Sequence, residues 1–173
     1  ATSVMTSERL GIARIVSEQS PYNLLDRRIE NELLPACAAH GVGVMAWSPL
    51  AMGMLAGRYE QGRAGDTRAA VRGGIYAERV TDAGIGVGNA FAALARQYGL
   101  EPAQAAYAWV LAQPGISAAI IGPKSVAQVA SALPAAALTL PAELLAAADA
   151  LVTPGSVVAS FFNSAAWMRW KHV

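Results

Sequence analysis

A chain of 173 residues, 54% hydrophobic and 14% charged, carries enough apolar material for one domain with a sizeable core, which excludes an intrinsically disordered protein. Thirteen basic and twelve acidic residues give a net charge of +1 and are mixed along the chain without a basic run, so neither nucleic acid nor an anionic membrane is implied as a partner. The one cysteine, Cys37, has no internal disulfide partner; in its apolar helical pattern it reads as a small core residue, and the expected setting is reduced and cytoplasmic.

No apolar run reaches the roughly 18 residues of a membrane span, because Gly, Pro, Gln or Ser interrupts each candidate, so no membrane insertion is expected. The opening Ala1-Thr2-Ser3-Val4-Met5 lacks the charged-then-apolar order of a signal peptide and has no methionine at its first position. A processed chain, a boundary chosen for expression and a piece of something longer all fit that start.

The first strand is expected over Arg14 to Gln19, ending before Ser20-Pro21-Tyr22-Asn23. Asp26 is a candidate N-cap for a helix on which Ile29, Leu33, Leu34 and Cys37 recur at helical spacing up to the stop at Gly41. Pro35 falls inside that pattern and is expected to kink or shorten the helix. His40, just before Gly41, suits a helix C-terminus rather than catalysis, and Glu30 and Glu32 fall on different faces and form no acid–base pair. Next comes Gly43-Val44-Met45-Ala46-Trp47-Ser48-Pro49-Leu50, whose short apolar run reads as a fully buried strand. Pro49 biases Ser48 toward extended geometry and so holds Trp47 at a strand-to-loop edge, where parallel α/β folds place their chemistry.

From Ala51 to about Gly88 glycines and arginines accumulate without a sustained period, which predicts a long functional or mobile excursion. Gly84-Ile85-Gly86-Val87-Gly88 has the wrong spacing, and no preceding strand, for a dinucleotide-binding glycine loop. Helices follow over Asn89–Tyr98 and Ala103–Ala112, the second opened by Pro102. Ser117 to Ile121 is the third strand, Gly122-Pro123 its turn, Ser125 to Leu133 the next helix, and Pro141 opens another through Leu151. The tail from Val157 carries Phe161, Phe162, Trp167 and Trp170, which are expected to pack on the body or on a partner. Three strands alternating with helices predict an α/β fold with a parallel sheet, too few strands to close a barrel.

Three stretches together resemble the aldo-keto reductases: Val16 to Arg27; Trp47-Ser48-Pro49-Leu50 with Gly53, Leu55, Gly57, Arg58 and Tyr59; and Ile121 to Gln128. The branch looks like the one that also contains the potassium-channel β subunits. The match runs in order from about Glu8 to Trp167 and covers only the C-terminal part of the family's pattern. The resemblance implies the C-terminal portion of a (β/α)8 TIM barrel, about three strand-helix units plus a C-terminal helix and tail, and it implies NADP(H) as cofactor. By position, Gln19 would hydrogen-bond the nicotinamide carboxamide and Trp47 would stack on the ring. Ser48, Pro49, Leu50 and Ala51 would follow the pyrophosphate, with Arg58 and Arg68 as charge partners. Gly122, Lys124, Ser125 and Gln128 would hold the adenosine end, Lys124 favouring a 2′-phosphate. Where the family has a Glu-Asn pair against adenine, this chain has Ser131 and Ala132, which implies weaker adenine binding.

The family's catalytic Asp, Tyr, Lys and His lie on earlier strands, so the resemblance assigns no catalytic residue here. Tyr22, Tyr59, Tyr76, Tyr98 and Tyr107 lie in other units, and neither His40 nor His172 follows the required strand. No metal site is expected. Read without their flanks, Trp47 is first a core aromatic, Lys124 a surface residue at a helix start, and Arg58 and Arg68 solvated loop charges. Two functions follow. One is the cofactor-binding part of an NADPH-dependent reductase of small carbonyl substrates, inactive alone. The other is a non-catalytic half-barrel acting as a nucleotide-binding or protein-interaction module. Half a barrel exposes two sheet edges, so a homo-oligomer or a complementary barrel fragment is the expected partner, with aggregation as the alternative.

Overall fold

The computed structural model describes residues 1–63 and 65–161, with the backbone alone at Arg68; the expected packing of Phe162, Trp167 and Trp170 lies outside the described residues. Strands β1 (Ser17–Pro21), β2 (Gly43–Trp47) and β3 (Ile116–Ile120) form a parallel sheet in the order β1-β2-β3. Ser17 pairs with Gly43 and Pro21 with Trp47; on the other side Val44 pairs with Ile116 and Trp47 with Ile120, with one register shift between Val44 and Met45. β1 therefore begins three residues later than expected and runs on through Ser20 and Pro21. Proline is tolerated there because β1 is an outer strand of this sheet, with no ladder on its far side needing its missing N–H.

Helices cover one face of the sheet: α2 (Leu33–Ala39) packs on β2 and α6 (Pro102–Leu111) on β3, with α5 (Asp82–Gln97) against α6 and α8 (Ala142–Leu151) against α5. Val44 and Ala46 on that face are fully buried, while Gly43, Met45 and Trp47 on the other are only half-buried, and Gln19 and Ile120 are exposed. The expectation that β2 is buried on both faces is corrected accordingly. Its second face has no layer over it among the described residues.

Other local expectations shift for identifiable reasons. Asp26 does not cap a helix: its buried carboxylate takes Arg28 Nε and Nη2 at 2.8 and 2.7 Å and the Phe161 amide at 2.7 Å, and a short 3-10 turn begins at Arg28 instead. Pro35 is the third residue of α2, where its missing N–H is one of the four that no helix satisfies internally, so neither the expected kink nor its cost arises. Gly41 closes α2 at a φ of 61°.

The expected long loop contains a 3-10 turn at Ala51–Gly53 and the short helices α3 (Arg68–Arg72) and α4 (Gly74–Glu78). α5 starts seven residues ahead of the expected Asn89, capped by Thr81, whose Oγ1 accepts from the Gly84 amide at 3.0 Å. The three glycines at 84, 86 and 88 are thus helical. At Gly88 a Cβ would lie 2.6 Å from the Met54 carbonyl oxygen, so the absent side chain is what lets α5 approach the Met54 turn. α7 (Val126–Ala132) follows the Ser125 cap, and α1 (Thr2–Leu10) precedes β1, showing little apolar periodicity because only Val4 and Ser7 are buried.

The core is built on Leu24, Leu25, Val44, Phe91, Trp109 and Leu144, all essentially inaccessible to solvent. Beside it lies a buried polar clamp. Arg27 donates from Nε to Glu30 at 2.7 Å and from Nη1 to Asp149 at 2.6 Å and the Val152 carbonyl at 2.7 Å, with its guanidinium 5.1 Å over the Trp109 ring. The Tyr22 hydroxyl donates to the same Glu30 oxygen at 2.6 Å; burial first, then that bond, pushes its pKa far above the ordinary tyrosine value. Backbone bonds from Arg27 to Ser156 and from Val158 to Leu25 complete the tie between the segment after β1 and the segment after α8. Cys37 is buried, and desolvation followed by the Glu18 charge raises its thiol pKa, which suits an inert core residue.

Candidate functional site

The C-terminal ends of β2 and β3 open on a cleft of about 890 Å³, near the upper end of the size range of small-molecule pockets. Trp47, Ser48, Pro49 and Leu50 line it from the end of β2, and Gly122 and Lys124 from the turn after β3. Arg58 enters from the excursion and Gln128 from α7. The half-buried indole and the exposed ammonium thus share one groove. Among the described residues its lining carries three cations, Arg58, Arg79 and Lys124, against the single carboxylate of Glu101.

The remaining residues singled out in the sequence stand elsewhere. Gln19 is exposed in β1, paired with Met45 in register, and does not line the cleft. Ala51 is fully buried under the turn it helps to form. Ser125 caps α7, its Oγ accepting from the Gln128 amide at 3.3 Å, while Gln128 Oε1 accepts from the Lys124 amide at 2.6 Å. The Arg68 side chain lies outside the described residues. Arg58 pairs with Asp66 at 2.8 Å, but both are well exposed, so the pair is weak and a stronger anion can replace the carboxylate. Ser131 and Ala132 line the cleft.

The turn after β2 is strained. Ser48, Ala51 and Met52 have φ of 59°, 48° and 59°, left-handed values that cost a non-glycine residue about 1–3 kcal/mol each. The extended geometry expected of Ser48 before proline is corrected by this. Its carbonyl is held by the Ala51 amide at 2.9 Å and by Asn23 Nδ2 at 3.1 Å, and Asn23, wholly buried, anchors its own Oδ1 on the Leu25 amide at 2.9 Å. Asn23→Ala is expected to lower stability by about 1–3 kcal/mol, because the Ser48 carbonyl and Leu25 amide lose a buried partner. Urea denaturation measures that loss, and faster amide hydrogen exchange across residues 48–53 than in α6 shows it centred on the turn.

Four polar or charged lining residues carry no binding role in the sequence reading. Arg79, just beyond α4, sits against the Trp47 ring, and Tyr76 of α4 lies near it. Both fall in the stretch without a period, where nothing local marks them. Tyr107 and Glu101 lie on and before α6, whose helical pattern reads as packing alone. Burial, then the Glu101 charge, raises the Tyr107 pKa. The arrangement sets a flat aromatic face and several cations along one groove.

Parallel strands whose carboxyl ends open on such a cleft define an α/β protein, a class in which ligands bind beyond the strand ends. The model of the Aldo/keto reductase family matches residues 2–153, and the chain belongs to that family. It is 38% identical over 139 residues to an uncharacterized oxidoreductase, YrpG, of Bacillus subtilis (strain 168), covering 80% of this chain and 41% of that one. It is 33% identical over 120 residues to a probable voltage-gated potassium channel subunit beta of Oryza sativa subsp. japonica, covering 67% and 37%. With Protein tas of Escherichia coli (strain K12) it shares 31% over 148 residues, covering 84% and 42%. The chain thus spans about two fifths of the length of these relatives.

Proposed function

We propose that this chain is the cofactor-binding part of an NADPH-dependent aldo-keto reductase that reduces small aldehydes or ketones. The observation that carries this reading is the single groove joining Trp47, at the end of one strand, to Lys124, past the end of the next. A flat ring rests on the half-buried indole, the pyrophosphate follows residues 48–50 with Arg58 as its charge partner, and Lys124 takes the 2′-phosphate. Bound there, the cofactor supplies the hydride for a carbonyl carbon. Groups outside this chain supply the proton donor. The uncovered sheet face and the outer edges of β1 and β3 support completion by further strands into a barrel, or pairing with a second copy. The setting is cytoplasmic in this reading, which the buried, unpaired Cys37 suits, and no single helix among the described residues is long and apolar enough to cross a membrane.

The same uncovered edges favour a second reading, a non-catalytic module whose sheet docks a protein partner. Titration with NADPH, followed by tryptophan fluorescence, separates the two. Quenching that saturates, and that Lys124→Ala weakens for NADPH but not for NADH, supports cofactor binding; an unchanged signal at millimolar NADPH defeats it and leaves the module. Lys124→Ala is expected to cost about tenfold in NADPH affinity, in keeping with one charge-assisted contact.

A further inference from the structure

At the Lys124 end the cleft runs between two helices. Ala103 and Tyr107, one turn apart on α6, form one wall, and Ala127 and Ala132 of α7 the other. The Gln104 side chain joins the helices, donating from Nε2 to the Ser131 carbonyl at 2.8 Å. Much of the polar capacity around this slot is taken up by the chain's own backbone. Glu101 Oε2 accepts from the Gln104 amide at 2.9 Å, Gln128 Oε1 from the Lys124 amide at 2.6 Å, and Ser125 Oγ from the Gln128 amide at 3.3 Å. Glu101, Gln128 and Ser131 are exposed, so water competes for the polar atoms they have left. What remains of the walls is three alanine methyls and one phenol. Trp47 and Tyr76, the other aromatic lining residues among those described, lie together against Arg79. Tyr107 is half-buried and makes no ring contact or hydrogen bond among the described residues.

We propose that this slot holds the adenine of the cofactor by its face, on the Tyr107 ring, and does not read the base by its edge. The inference rests on the reading above, in which Lys124 takes the 2′-phosphate. The base hangs on the same ribose as that phosphate, so it cannot lie far from Lys124, and the slot is the apolar space beside it. An aromatic side chain stacks on any base, because every base has a π-face. Donors and acceptors on a base edge discriminate only where the protein presents free, desolvated partners, and here the nearest ones are engaged or hydrated. The site therefore accepts hypoxanthine as well as adenine, and Tyr107 carries affinity without carrying base specificity.

The test is calorimetric titration of NADPH, of its analogue with hypoxanthine in place of adenine, and of adenosine 2′,5′-bisphosphate into the protein that carries this chain. Wild type is expected to bind NADPH and the hypoxanthine analogue within about threefold of each other. Tyr107→Ala is expected to weaken all three ligands by roughly 5- to 100-fold, and Tyr107→Phe to keep wild-type affinity within about threefold. A loss shared by the bisphosphate, which has no nicotinamide, fixes the effect at the adenosine end. Tyr107→Leu, which keeps apolar bulk without a flat face, serves if the alanine variant does not fold. Unchanged affinities in the variant without the ring, or a hypoxanthine analogue that wild type binds more than about tenfold more weakly than NADPH, overturn the inference and leave the cofactor reading intact. Failure of wild type to bind NADPH overturns both.

Discussion

Gly88→Ala is expected to destabilise the protein by about 2–3 kcal/mol, while Gly86→Ala, two residues away on the same helix, stabilises it by about 0.5–1 kcal/mol. Alanine is the better helix former at both sites, so propensity alone gives both substitutions the same sign. Space decides between them. A Cβ at Gly86 meets nothing within 4 Å, whereas at Gly88 it would lie 2.6 Å from the Met54 carbonyl oxygen and 2.8 Å from the carbonyl carbon. Backbone cannot rotate aside as a side-chain tip can, so α5 must move away from the turn. That turn is continuous with the left-handed residues Ser48, Ala51 and Met52, so the displacement reaches the wall of the cleft. Urea midpoints of the two variants measure the difference, and a Gly88→Ala protein as stable as Gly86→Ala would show that α5 does not approach Met54 as described.

Arg27→Met carries the other large effect, an expected loss of about 3 kcal/mol. The methylenes of arginine are replaced in kind, so packing against Trp109 largely survives. What goes is the charge: Glu30, 17% exposed at its side chain, loses its cation, and the Val152 carbonyl loses a donor at 2.7 Å. Asp149 is 47% exposed and turns to water, which keeps the loss at the lower end of the range for a broken buried pair. Asp149→Asn should for the same reason cost less than about 1 kcal/mol. Thermal unfolding of both variants checks the pair; equal losses would mean that the exposed carboxylate, and not burial of the guanidinium, sets the strength of the clamp.

The cleft was legible in the sequence as far as local geometry reaches. Trp47 ends one short strand and Lys124 lies in the turn past the end of the next, and parallel strands bring their carboxyl ends to one side, so direction of travel along the chain is enough to assemble them. Ala51 sits next to the same motif but is turned into the core by a backbone twist that no residue preference announces, since alanine and serine rarely adopt positive φ. Gln19 was read as a strand end, whereas β1 continues through polar Ser20 and Pro21, residues that pattern reading takes for a turn. Asp26 looks like a cap because caps are aspartates, yet besides neighbouring Arg28 it binds an amide 135 positions later, beyond any local window. Arg79 is the sharpest case. Its position against Trp47, Tyr76 and Phe161 joins rings from separate parts of the chain, and the stretch around it has neither period nor motif.

That distance between Asp26 and the Phe161 amide also orders events on the ribosome. At roughly 5–20 residues per second, translation brings out Asp26 and Arg27 on the order of ten seconds before the stretch that neutralises and covers them. Until then Asp26 and Arg27 have only their local partners, Arg28 and Glu30. The stretch from Asp149 to Phe161 therefore closes last over the turn that follows β1.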